Sequence, residues 1–198
     1  MTSEDHINDY FEKSIQVKIE TANILPPIIS QAAQSMVSCL ENGGKILVCG
    51  NGGSASIANH FSSKLLNCFK MERPSLPAFA LTGDVSSVTA ISDTYGFDNV
   101  FSRQIAALGN EKDILLAISS DGGSTNILRA IEEAQDLEMT VVALTGCGGG
   151  VIRGVYNSGD IELRVPSDDI SSVQENHILI IHCLCDLIDK ILFAGLEG

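Results

Sequence analysis

The stretch Lys45-Ile-Leu-Val-Cys-Gly-Asn-Gly-Gly-Ser54 limits what this chain can fold into more than any other segment. Its apolar start reads as a buried strand and its glycines as a tight turn. The run that follows, carrying His60 and Lys64, has helical spacing. A strand that feeds a helix through such a turn aims backbone N–H groups at one point, where an anion can sit. Counting Lys45–Cys49 as the first, four short apolar runs appear, the others being Ala78–Leu81, Ile114–Ile118 and Thr140–Leu144, with Ile161–Val165 as a fifth. Segments of helical spacing separate them. The alternation predicts right-handed crossovers and a five-stranded parallel sheet covered on both faces, a three-layer α/β fold.

Ahead of this core, from about Ser3 to Leu40, the pattern is helical, and Pro26-Pro27 divides it into two helices that stop at Asn42-Gly-Gly44. No linker or repeat interrupts the remainder, so the expectation is one domain over residues 1–198, with about 1–42 as N-terminal helices serving oligomerisation and 43–198 as the α/β core. The first helix recurs in Ile7, Phe11, Ile15 and Ile19. That stripe either meets another subunit or caps the domain's own core.

A formal charge of −13 without any Lys/Arg-rich run speaks against nucleic acid and anionic membranes as partners. A small phosphate can still be held by backbone N–H groups. The polar, acidic N-terminus and the lack of a long apolar run predict no signal peptide and no membrane span, and hence a cytoplasmic protein. The six cysteines follow no metal-finger spacing and read as reduced core residues. Cys183 and Cys185, two apart on a helix, face different ways and do not form a metal pair.

In parallel sheets ligands gather at the carboxyl ends of the strands. Three strand-to-helix turns there combine glycines with small hydroxyl residues: Gly50–Ser56, Ser119–Thr125 and Thr145–Gly150. A plain tight turn accounts for any one of them, but three in succession favour a phosphosugar site. Gly50-Asn-Gly52 lacks the third glycine and the later acidic residue of a dinucleotide fingerprint, and no GxxxxGK[ST] occurs, so no nucleotide cofactor is expected.

At these residues the chain resembles the sugar isomerase (SIS) family, and within it the bacterial phosphoheptose isomerases and their relatives that bind the replication initiator DnaA. The matching stretches are Lys45–Ser54, His60-Phe61, Glu72-Arg-Pro-Ser-Leu-Pro77, Leu115–Ser119, Val141–Gly146, Gln174-Glu175, His177 and Cys183–Ile188. The resemblance implies a flavodoxin-like SIS domain, a homotetramer with active sites at subunit interfaces, and isomerisation of sedoheptulose 7-phosphate to a manno-heptose phosphate through an enediol, in lipopolysaccharide heptose biosynthesis. By position, Asn51, Gly52, Gly53 and Ser54 would line the sugar and Ser119, Ser120 and Ser124 would hold the phosphate. Gln174 and His182 would contact the sugar, with His182 as acid/base. Some relatives also bind zinc, which here implies His60, Gln174 and His182, with Lys64 at the fourth position.

Three positions depart from the family pattern. Lys64 stands at the place of the acidic base, and a lysine can act as a base only if its pKa falls some three units from ~10.4. Asp121 replaces a hydroxyl of the phosphate loop. Asp93-Thr94 replaces an Asn-Asp pair. The opposite charge changes at Lys64 and Asp121 have two readings, an ion pair across the pocket or independent drift after loss of function. His60 has a second reading as a helix-start histidine bonded to backbone, and His182 as a satisfied core histidine. His177 reads as structural or interfacial, and His6 carries no signal. Two other functions fit the same departures: a non-catalytic tetramer binding the replication initiator, and a sugar-phosphate sensor.

Overall fold

A computed structural model describes residues 2–193, so the last five residues of the expected core span lie outside the described residues. Helix α1 (Ser3–Ile24) opens with a capping box in which Thr2 and Asp5 exchange side-chain and backbone bonds at 2.7 and 3.1 Å. Leu25 ends it, and the prolines at the first positions of α2 (Pro26–Glu41) start the second helix, where a missing N–H costs nothing. The division at Pro26-Pro27 is therefore where the sequence placed it.

The sheet comprises β1 (Ile46–Gly50), β2 (Ala78–Ala80), β3 (Ile114–Ile118), β4 (Thr140–Thr145) and β5 (Ile161–Arg164), in the order β2-β1-β3-β4-β5. Every pairing is parallel, as expected. All residues of β1 and β3 are buried, and their side chains alternate between two cores. Ile46, Val48, Leu116 and Ile118 point to one face, packed by α2, by α3 (Gly53–Leu66) and by α7 (Ile170–Phe193). Leu47, Cys49, Leu115 and Ala117 point to the other, packed by α5 (Ser102–Leu108) and α6 (Thr125–Asp136). A period of two on strands buried from both sides produces the two layers.

Between β2 and α5 runs α4 (Val85–Tyr95), which buries none of its residues and is followed by a 3₁₀ turn, Phe97–Asn99. Helix α1 lies on α7 through its polar face. Ser14 and Lys18 bond to Glu175, Lys18 at 2.6 Å, and Thr21 is buried. Its apolar stripe points the other way, with Ile7, Phe11, Ile15 and Ile19 exposed by 50–64%. The stripe therefore does not cap the domain's own core. Among the described residues no helix is long and apolar enough to cross a membrane.

Candidate functional site

The strand order reverses at β1, because β2 lies on one side of it and β3 on the other. That switch point opens a crevice at the carboxyl ends of β1 and β3, the place where open α/β sheets bind ligands. The turns after these strands line it. In the first turn Gly52 has φ +54 and launches α3 without a side-chain cap. Gly50 is required because a Cβ there would lie 2.7 Å from the backbone of Ser54, which is itself buried under the turn. Asn51 is half-buried and exchanges two amide bonds, 2.8 and 2.9 Å, with Asn126 in the first turn of α6. This reciprocal pair ties the two sides of the crevice together.

Gln174 of α7 closes the same end, with its amide against Gly53, where a Cβ would meet both Nε2 and Oε1 at 2.7 Å. The structure brings Asn51, Gly52, Gly53, Ser54 and Gln174 together, with Ser54 beneath the turn and the others at its surface.

In the second turn, the Ser119 hydroxyl accepts the Gly122 N–H at 3.1 Å. Ser124 precedes α6 and its side chain makes no capping bond, so the first N–H groups of that helix face the crevice with the half-buried Ser120 and Ser124 beside them. Asp121 is exposed and folds onto its own loop, accepting from the Gly123 N–H at 2.9 Å and from Ser119 at 3.4 Å. The third turn supports the second instead of facing a ligand. Gly122, at φ +67, packs so closely that a Cβ would overlap the Gly149 carbonyl, and Val151 donates to the Gly122 carbonyl at 3.0 Å.

Two turns farther along α3 and α7 lies a second group. His60 Nε2 and His182 Nε2 are 2.9 Å apart, with ring centroids at 5.1 Å. One nitrogen must donate and the other accept, so the pair holds a single proton between the rings. Burial, then the neighbouring His182, then Lys64 hold His60 below the usual imidazole range. Phe69 stacks on His182 at 5.3 Å, and the Lys64 ammonium lies 5.9 Å from the centre of the Phe69 ring. The contact overturns the reading of His60 as a histidine bonded to backbone. His177, by contrast, is structural: it is fully buried and its Nε2 donates to the Thr145 carbonyl at 3.1 Å.

An ion pair between Lys64 and Asp121 is not formed. Lys64 leans on Phe69 at the end of α3, whereas the carboxylate of Asp121 is taken up by its own turn, and no contact within 4.0 Å joins them. Asp93 and Thr94 sit exposed on α4, outside both groups.

The four family positions for zinc do not make a zinc site in this chain. The two imidazoles can each offer a nitrogen, but the Gln174 amide lies against Gly53 and the fourth position carries an ammonium, which has no lone pair to give. Among the described residues no three His, Cys, Asp or Glu side chains converge on a metal position.

Sequence reasoning missed Asn126, Phe69 and Arg73. The only local hint of Asn126 is its place at the start of a helix that follows a glycine turn. Arg73 is fully buried, donates at 2.9 Å to the carbonyls of Lys64 and Leu65, and pairs with Asp189 of α7 at 2.6 Å. It caps the end of α3 and fixes it against α7.

A family model described as the SIS domain matches residues 9–146. A phosphoheptose isomerase of Shewanella denitrificans is 54% identical over 98% of this chain and 99% of its own length. The structure of a phosphoheptose isomerase from Francisella tularensis superposes with a TM-score of 0.94 at 67% identity, covering 96% of this chain and all of that one. One from Neisseria gonorrhoeae gives 0.91 at 45% identity, over 96% of this chain and all of that one.

Proposed function

The chain belongs to the SIS-domain family, among its phosphoheptose isomerases, and from that premise we propose that it interconverts sedoheptulose 7-phosphate and D-glycero-D-manno-heptose 7-phosphate, a step toward lipopolysaccharide heptose. The observation that carries this reading is the His60–His182 pair, two turns along α3 and α7 from a crevice suited to a sugar phosphate. From Gly53 to His60 is seven residues and from Gln174 to His182 eight, which at 1.5 Å per residue is about 10–12 Å. A seven-carbon sugar extended between these two groups would bind its phosphate at Ser119, Ser120, Ser124 and the start of α6. Asn51 and Gln174 would contact its middle, and C1 and C2 would reach the imidazoles.

The reaction moves one proton from C1 to C2 and one from O1 to O2, through an enediol. It consumes no second substrate. When substrate separates the two rings, the Nε2 that accepted the shared hydrogen bond is freed to take the carbon-bound proton, and the N–H of the other ring is freed to donate to the oxygen. Positioned acid–base groups of this kind contribute typically 10²–10⁴-fold.

Turnover of sedoheptulose 7-phosphate by the purified protein, lost by about 10²-fold or more in His182→Gln, is the expected result. Failure of both wild type and Lys64→Glu to convert it would refute the reading. Measurable binding of the replication initiator in that case would favour the adaptor function. The exposed stripe of α1 supports a homotetramer, which sedimentation of the wild type beside Phe11→Glu would test. The six free cysteines and a phosphorylated substrate support a cytoplasmic setting.

A further inference from the structure

Lys64 follows His60 by one helical turn, the spacing that places two side chains on one helix face. Its ammonium lies 5.9 Å from the Phe69 centroid, and that ring stacks on His182, whose Nε2 is 2.9 Å from His60 Nε2. Phe69 thus stands between a cation and two nitrogen ligands, and the cation is near enough to His60 to help hold that imidazole below its usual range. The carboxylate best placed in sequence to join the imidazoles is Asp186, one turn after His182 on α7. Both of its oxygens are engaged, Oδ1 by Lys70 at 3.0 Å and Oδ2 by Lys190 at 2.7 Å.

We propose that Lys64 stands electrostatically where a divalent metal would stand: it excludes zinc from His60 and His182, and its ammonium supplies the positive charge at the reacting end of the sugar. An ammonium offers no lone pair and repels a dication, whereas zinc requires ligands already free of protons. The exclusion of zinc depends only on the residues just named. The role of the ammonium toward the sugar rests on the isomerase reading.

The test measures metal, not turnover. Wild type, Lys64→Glu, Lys64→His, Lys64→Glu/His60→Gln and His60→Gln are equilibrated with zinc, freed of excess, and assayed for bound metal by mass spectrometry and for melting temperature. Wild type should retain no stoichiometric zinc and show no zinc-dependent shift in melting. Lys64→Glu restores a carboxylate one turn from His60, and Lys64→His adds an imidazole there. Each should hold about one zinc per chain and melt higher with the metal. Adding His60→Gln to Lys64→Glu should weaken zinc binding by roughly 10-fold or more.

The proposal is overturned if wild type holds about one zinc per chain that His60→Gln removes, or if neither Lys64→Glu nor Lys64→His binds zinc. Absence of isomerase turnover in both wild type and Lys64→Glu, with a wild type that behaves as expected toward zinc, would refute the isomerase reading and leave the exclusion of zinc in place.

Discussion

Replacing Arg73 by Met should destabilise the protein by about 3–5 kcal/mol, the cost of leaving one member of a buried ion pair without its partner. Arg73 and Asp189 have 0% and 3% of their side chains exposed, so water does not take over the lost contact. The guanidinium does more than neutralise Asp189. It donates to the carbonyls of Lys64, Leu65 and Pro74 at 2.9 Å each, which are the terminal acceptors of α3 and the turn after it. Losing it strands these groups together with a carboxylate whose second oxygen already lacks a partner. For a chain of this length the loss corresponds to a fall in melting temperature of roughly 6–20 °C. Combining Arg73→Met with Asp189→Leu removes the stranded charge but not the stranded carbonyls. The double variant should therefore recover about 2 kcal/mol or more relative to Arg73→Met while staying below wild type. Urea titrations of the three proteins, followed by circular dichroism, measure both quantities. If Arg73→Met costs less than about 1 kcal/mol, or if Asp189→Leu recovers nothing, the buried charge is not what joins α3 to α7.

Burial pushes the His177 imidazole down to about 4, so between pH 6.5 and 4 the unfolded chain binds the extra proton and stability falls with pH by about 1.4 kcal/mol per unit. From pH 7 to 5 wild type should lose about 2 kcal/mol more than His177→Gln in urea titrations; parallel losses would contradict this. Gly122→Ala places a methyl group on the Gly149 carbonyl at φ +67, and should cost about 2 kcal/mol while raising KM for the sugar phosphate, because the second and third turns are forced apart. Wild-type melting and KM in that variant would show that the loops yield without cost. Asn126→Ala should cost about 1–3 kcal/mol by leaving the Asn51 amide unpaired, and adding Asn51→Ala should cost little further; additive losses would mean the amides act independently.

Much of the molecule was legible because its causes are local. Apolar runs of strand length, glycines where the backbone must turn, and prolines at a helix start act within a few residues, so the five strands and the break at Pro26-Pro27 could be placed from the sequence. The glycine turns after β1 and β3 could be marked for the same reason. Charge complementarity was a poorer guide. Lys64 and Asp121 differ in sign, yet a short side chain in a glycine turn is captured first by the N–H groups beside it.

The sequence by itself determined the α/β class, the parallel sheet and the glycine turns at the carboxyl ends of β1 and β3. Only the tertiary structure decided that the apolar stripe of α1 faces outward, that His60 meets His182 across 122 positions, and that Arg73 reaches Asp189 across 116. Those contacts depend on how α1, α3 and α7 are rotated and shifted against one another. That register is set by interlocking side chains distributed over the whole core, so no single stretch of sequence carries it.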